Sequence, residues 1–368
     1  MAPTKPSLEL LRSLSDEHVL RALMAQRRAT RAELAVATGL SKPTVSESVR
    51  RLSEAGVVVD TGERTTGRGR IGTYYGLPDT TGFALVVSIA PEGIVAEAVD
   101  VYGDVVGRSQ AEVSRAPGPD AVGRALARVA GEVAASGPVR VAAVSAADPV
   151  DRDSGRLVEL PDSPFLVGAL DPPAVLADLV DGRVTVDNDV NWAARAEHSR
   201  AADFVYVYLG EGVGAAVVSD GEVRRGHAGL AGEIAHLPTV GPGGVAMPFI
   251  EVFGALGVRR TGSTAIDVPA LLAAAKTDAG DLARAVCGVL SAAVALADPE
   301  LVLLGGPWGA SVRDAVADEF ARAPRHVPVE AASVDDEPAL AGARATALRQ
   351  LRDAVVATAP REPGFQSA

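Results

Sequence analysis

Near residue 80 the apolar pattern of this chain changes period, and that change constrains the fold more than any other feature. Before it, apolar residues recur at helical spacing, as Val19, Leu20, Leu23 and Met24 do on one face of DEHVLRALMAQ, for which Ser15 is the expected N-cap. From Phe83 onward, strand-like runs follow one another: FALVVSIA, GIVAEAVDVYG, DVVGRSQAEV, a helical stretch over about 120–135, then VRVAAVSAA. A second series begins near Val184 with RVTVDND, a helix from Asn191, and the hairpin pair FVYVYLGEG and VGAAVVSDGEV. Mixed strands and helices imply α/β lobes, and a meander repeated in both halves implies two of them with a cleft between. The expected organisation is an N-terminal module over 1–80, a first lobe over 81–183 and a second over 184–357, its final helix free to pack back on the first. A disordered tail is expected over 358–368.

Inside the N-terminal module, Thr30 and Glu33 form a T-x-x-E capping box for a short second helix that Gly39 ends. Ser41 caps a third helix with Pro43 in its first turn, and Gly56 closes it. Two strands joined by the basic stretch TGERTTGRGRIG follow, the pattern of a wing. Val45, Val49 and Leu52 of the third helix face inward, which puts Thr44, Ser46, Ser48 and Arg51 on the face able to enter a DNA major groove, with Lys42 on the backbone. Arg64, Arg68 and Arg70 suit a narrow minor groove, because glycines leave their backbone free to follow it. The plainer readings are a solvated basic loop and a three-helix bundle used for protein contact.

Charge follows the same division. Residues 1–80 hold 12 Lys and Arg against 9 Asp and Glu, a net of +3, whereas the remainder carries −15 of the total −12. A small module facing phosphates and a large one avoiding them fits this asymmetry. No run approaches the roughly 20 apolar residues of a membrane span, and the first residues lack an apolar signal core, so a soluble cytoplasmic protein with no membrane partner is expected. The one cysteine, Cys287, falls in an apolar helical pattern and reads as a buried structural thiol.

Three segments resemble the ROK family (repressors, open reading frames, kinases), in its regulator branch with a winged helix-turn-helix. VDNDVNWAARAEH at 186–198 is similar to the family's N-D-x-N-x-x-A-x-x-E segment. RRGHAGLAGEIAH at 224–236 is similar to its G-x-x-G-x-A-G-E-x-G-H segment, and DPELVLLGG at 298–306 to the strand near the nucleotide in its kinases. The resemblance implies a two-lobed actin-like, ribonuclease-H-like domain of sugar-kinase type, assembled as a homodimer or homotetramer. It assigns sugar contacts to Asn188, Asp189, Glu233, His236 and, at the end of the segment, Glu251. Asp189 then matches the kinase base, although Asn188 and Asp189 also read as a plain helix-capping pair.

Phosphoryl transfer needs amides, hydroxyls and a metal around the phosphates. The family's D-x-G-x-T loop is here SIAPEG, with Ser88, Ala90, Pro91 and Glu92 at its key positions, and its G-T-G-x-G loop is GEGVG, with Glu211 in place of threonine. Carboxylates there repel phosphate. The family's cysteine-rich zinc motif is replaced by LPTVGPGGVAMPFIE, which holds no cysteine. No catalytic residue, cofactor or metal ligand is therefore expected. The resulting expectation is a regulator, in the repressor sense, that binds double-stranded operator DNA through residues 41–52 and the 64–70 wing and senses a sugar or sugar derivative without phosphorylating it. An active sugar kinase carrying a DNA-binding module and a regulator with a vestigial pocket are the alternatives.

Overall fold

The computed structural model describes residues 8–66, 71–114, 118–160 and 167–360. The N-terminal module comprises α1 (Leu8–Gln26), β1 (Arg28–Thr30), α2 (Arg31–Thr38), α3 (Lys42–Glu54), β2 (Val59–Arg64) and β3 (Thr73–Gly76), the strands pairing in the order β1-β3-β2. Local chemistry fixes the ends of these helices. Thr30 Oγ1 accepts from the Glu33 amide at 3.3 Å while the Glu33 carboxylate accepts from the Thr30 amide at 2.7 Å, and Gly39 closes α2 in the left-handed region at φ 70°. Ser41 accepts from the Thr44 amide and starts α3. The expected first cap fails: α1 begins at Leu8, and Ser15 lies inside it with its hydroxyl donating to the Leu11 carbonyl. Leu8, Leu10, Leu11 and Leu14 of the added turns are exposed, so no apolar stripe announces them.

The next elements are β4 (Phe83–Ala90), β5 (Gly93–Val99), β6 (Val105–Ala111), α4 (Pro119–Ala134), β7 (Val139–Ala146), α5 (Pro172–Leu176), β8 (Val184–Asn188) and α6 (Asp189–Ala196). Strands of this lobe run β6-β5-β4-β7-β8, an antiparallel meander continued by two parallel strands. The second lobe holds β9 (Phe204–Leu209), β10 (Val213–Ser219), β11 (Glu222–Val223), the hairpin β12 (Pro238–Val240) and β13 (Ala246–Pro248), and α7 (Phe249–Ala255). It continues with α8 (Val268–Thr277), α9 (Gly280–Ala297), β14 (Leu301–Gly305), α10 (Gly309–Phe320), β15 (Val329–Ala331) and α11 (Pro338–Ala357). Its sheet order, β11-β10-β9-β14-β15, repeats that of the first, with the same change from antiparallel to parallel pairing.

The expected boundary at 183/184 needs correction. β8 completes the first sheet beside β7, because a parallel strand adjacent to a buried one satisfies its amides, and the chain crosses to the second lobe only after α6. Likewise α6 starts at Asp189 rather than Asn191, since Asn188 caps it. The last helix, α11, returns to the first lobe and packs on β4, β7 and α6. Residues 361–368 of the expected tail lie outside the described residues.

Helix α9 is long and apolar enough to cross a membrane by length and composition, but Leu282, Val286, Val289, Leu290 and Val294 bury it in the core of the second lobe. Cys287 belongs to the same face; burial pushes its thiol up to about 12, in keeping with a structural role.

One core joins the N-terminal module to the first lobe. Val19, Leu20, Leu23 and Leu52 share it with Ala84, Val86, Trp192, Leu340 and Leu351. Polar contacts rim it: Arg21 reaches Asp353 at 3.0 Å, and Arg27 pairs with Asp104 while stacking 5.0 Å from the Tyr102 ring.

Candidate nucleic-acid interface and ligand cleft

On α3, Lys42, Glu47 and Arg50 are exposed and Thr44 and Ser46 half-buried. Two residues expected on that face are turned away from it. Ser48 is buried and donates to the Asp16 carboxylate, and Arg51, whose side chain is 19% exposed, donates to the same carboxylate at 2.7 Å. A helix turns 100° per residue, so 48 and 51 border the stripe of Val45, Val49 and Leu52 and meet α1 across the core. Asp16 was not anticipated. Its signal was there: it shares helical spacing with Val19, Leu20 and Leu23, a lone carboxylate on an apolar face.

Arg50 was also missed. It is exposed and held by Glu47 at 2.6 Å and Glu54 at 2.6 Å, the i,i+3 and i,i+4 neighbours of one surface. In the wing, Arg64 is exposed and pairs with Asp60 at 2.8 Å, while Arg28 and Arg31 stand over the rings of Tyr74 and Tyr75. Arg68 and Arg70 lie outside the described residues.

Asn188 sits where β8 turns into α6. Its Oδ1 accepts from the Val190 amide at 2.9 Å and its Nδ2 donates to the Ala146 and Asp148 carbonyls at 3.4 and 3.3 Å, so the side chain builds the turn. Asp189 accepts from the same Val190 amide at 2.8 Å. Burial pushes its carboxyl up to about 7, reinforced by the charges of Glu233, Asp148 and Glu92. Glu233 is solvent-accessible yet crowded by protein; that crowding and Asp148 raise it, and His236 opposes the shift. The two halves of the expected sugar site are therefore within electrostatic reach of each other. Glu251 is not part of this set: it occupies the first turn of α7 and faces Arg259 at 3.2 Å.

Asp148 is a further acid that the sequence reading passed over. It ends the apolar run after β7 and is buried, raised to about 6 by desolvation; one oxygen accepts from the Val167 amide at 2.9 Å and the other has no partner among the described residues. Beneath the turn, buried Asp187 binds Arg195 at 2.7 Å and Arg225 at 3.1 Å. Arg225 thereby ties the segment carrying Glu233 to β8. Gly232 in that segment has φ 103°, and a Cβ there would overlap the Ala215 carbonyl.

The two phosphate-loop positions are tight turns. Pro91 and Glu92 form the tip of the β4–β5 hairpin, closed by Ala90 opposite Gly93. Glu211, between β9 and β10, pairs with Arg260, which corrects the expectation that it presents a bare negative charge. A cavity of about 540 Å³ opens beside these loops, lined by Ser88, Glu92, Arg108, Asp189, Tyr208 and Glu337. The segment that replaces the zinc motif folds as the β12–β13 hairpin, anchored by Thr239 Oγ1 donating to the Ala285 carbonyl at 2.6 Å.

Residues 90–249 match the ROK family, and residues 12–59 match a winged helix-turn-helix DNA-binding family. This chain carries a ROK domain behind a winged helix-turn-helix. A putative xylose repressor of Caldicellulosiruptor sp. (strain Rt8B.4) is 22% identical over 242 residues, covering 62% of this chain and 59% of the relative. An uncharacterized protein of Sinorhizobium fredii is 26% identical over 238 residues, 62% of this chain and 60% of that one. The chain thus spans about 60% of the length of these relatives. Among solved structures, a ROK family transcriptional regulator, described as a homolog of E. coli MLC, superposes with a TM-score of 0.63 at 19% identity, covering 94% of this chain and 98% of that one. The ROK hexokinase of Thermus thermophilus does so with a TM-score of 0.58 at 23% identity, over 73% and 99%. These superpositions and the two family matches establish the fold: winged helix-turn-helix followed by the two-lobed actin-like domain.

Proposed function

We propose that this protein is a DNA-binding transcriptional regulator of the repressor type, whose ROK domain senses a sugar or sugar derivative without phosphorylating it. The observation that carries this reading is helix α11. Its N-terminal turn, Glu337 to Leu340, lines the cavity beside Asp189, and its C-terminal half, through Leu351, Asp353 and Val355, packs against the helix-turn-helix. A single rigid element therefore touches both sites. A ligand that favours one lobe arrangement biases the presentation of α3 only by its difference in affinity for the two arrangements. The repressors among the relatives and the helix-turn-helix support the DNA half of this proposal.

The absence of kinase chemistry is part of the proposal. Pro91 offers no amide to a phosphate, Glu92 projects a carboxylate into the cavity, and the Glu211–Arg260 pair occupies the second loop. The rival reading is an active sugar kinase, favoured by an Asp189 carboxyl near 7, where a general base works best. Two measurements separate them. Genome-wide mapping of bound sites, followed by gel-shift titration of an enriched site, is expected to give specific binding that sugars modulate; binding no tighter than to random DNA rejects the regulator. ATP consumption with hexoses and N-acetylhexosamines is expected at background, and turnover rejects the non-catalytic reading. Light scattering on the full chain is expected to give a dimer or tetramer.

A further inference from the structure

We propose that Arg50 is the residue of α3 that reads a guanine in the major groove, with Glu47 as its positioning residue, so that the operator carries a G·C pair beneath it; the inference rests on the reading that α3 enters the groove of operator DNA. The packing of α3 leaves few side chains for that task. Val45, Ser48, Val49 and Leu52 are buried, Arg51 is bound to Asp16, and the Thr44 hydroxyl meets the Ser41 hydroxyl at 2.8 Å within the N-cap. The long side chains left exposed are Lys42 at the start of the helix and Glu47, Arg50 and Glu54, which follow at i,i+3 and i,i+4 along one face.

This face holds the guanidinium of Arg50 in a fixed plane. Glu47 accepts from its Nε at 3.0 Å and from its Nη2 at 2.6 Å, gripping one edge, while Glu54 accepts from Nη1 at 2.6 and 2.8 Å. Glu47 thus takes two of the five N–H groups, and Nη2 retains one that points past it. The neighbouring Nη1 has two N–H groups, and Glu54, 61% exposed at the end of the helix, is free to release one of them. Guanine presents O6 and N7 to the major groove as two adjacent acceptors, which a pair of terminal N–H groups matches. A side chain ordered before DNA arrives also loses less freedom on contact.

Charge decides between base and phosphate. The exposed face sets Lys42 and Arg50 against Glu47 and Glu54, two cations against two carboxylates. Arg50 therefore offers a phosphate little net attraction, and both carboxylates repel one. At the base edges the balance differs, because cytosine N4 and adenine N6 donate there and a carboxylate beside the arginine is tolerated.

The test is selection of bound sites from randomised duplex DNA by the full chain, followed by titration of the selected site and its single-pair substitutions. The native chain is expected to require a G·C pair at one position and to bind about tenfold or more weakly when that pair alone is changed. Arg50→Ala is expected to bind the selected and substituted sites within about threefold of each other, with an unchanged unfolding midpoint. Arg50→Lys keeps the charge without the planar fork, so discrimination at that position is expected to stay below the native level. Glu47→Ala is expected to reduce the same discrimination severalfold, and Glu47→Gln, which keeps one acceptor for the guanidinium, to restore part of it. A selected site without a required G·C pair overturns the inference and leaves DNA binding standing. So does a uniform weakening of all sites by Arg50→Ala that Arg50→Lys restores, which marks a phosphate contact. Discrimination intact in Glu47→Ala overturns the positioning role, and no enriched site at all overturns both the inference and the regulator.

Discussion

The two lobes share one strand order but differ in what covers them. The second lobe closes its own core with α7, α8, α9 and α10, whereas the first leaves one face of β4 and β7 to α11 and, through it, to the helix-turn-helix. One lobe is thus welded to the DNA-binding module, and the other joins it through α6, whose Val190, Ala193 and Ala194 pack on Phe204, Tyr206, Ala216 and Leu303 of the second sheet while α6 itself packs on α11. The difference teaches where a signal can travel: any shift of the second lobe would meet, through α6, a first lobe that carries α1, α3 and α11 as one packed body.

A pair of glycine substitutions breaks this comparison most sharply. A Cβ on Gly342 of α11 would overlap the Trp192 carbonyl of α6, rigid backbone within the welded lobe. A Cβ on Gly288 of α9 would meet the Thr239 hydroxyl, a side chain that can rotate. Gly342→Ala is expected to lower stability by about 3 kcal/mol or more, and Gly288→Ala by about 1–2 kcal/mol with loss of the Thr239 to Ala285 bond. Denaturant titration checks both, and a smaller effect at Gly342 would mean that α6 and α11 are not tightly joined.

Asp16→Ala probes the same weld from the DNA side. It strands Arg51 and Ser48 against α1 and is expected to cost about 3 kcal/mol, as removal of one partner from a buried ion pair does. Operator affinity should fall with it, and Arg51→Met with Asp16→Leu in one chain should recover stability better than either alone.

The comparison also explains what was legible in the sequence. Capping pairs and periodicity act locally, so the Thr30–Glu33 box, the Ser41 cap, the wing strands and the two meanders could be read directly. Sheet membership of β8 could not, because which neighbour a parallel strand joins is decided by a crossover, not by its own residues. The same limit hid Asp148, whose importance comes from Asn188 and Val167 forty and nineteen residues away. Ser48 and Arg51 were misplaced because a polar residue beside an apolar stripe reads as exposed until a buried partner such as Asp16 is known. Glu211 looked bare for the same reason, its partner Arg260 being remote in sequence.

The acid pair at the cleft gives a pH test. Asp148 is raised from 3.8 to about 6, so between those values the native state binds more protons than the unfolded chain. Stability from this group is full below about pH 4, declines as pH rises through 6, and is absent above. Asp148→Asn keeps the acceptor for Val167 and removes the charge. At pH 8 it is expected to stabilise the protein by on the order of 2 kcal/mol, with no gain at pH 4. Thermal unfolding across pH 4–8 measures this, and a variant equally displaced at both ends would show that the buried charge is not the cause.

The smallest effects belong to the exposed DNA face, and they separate phosphate contact from scaffold. Lys42 is exposed at the start of α3, where its charge adds to the positive end of the helix, whereas Arg51 is committed to Asp16. Lys42→Ala is expected to leave the unfolding midpoint within experimental scatter and to reduce the slope of log affinity against log salt by about 1, because one fewer counterion is released. Arg64→Ala should act similarly but less, since Asp60 already neutralises much of its charge. Arg51→Ala is expected to do the reverse, lowering stability while leaving the salt slope unchanged. If Arg51→Ala instead flattened the slope at full stability, its guanidinium would have to leave Asp16 for phosphate on binding, and α3 would be rebuilt on DNA instead of presented in advance by the weld.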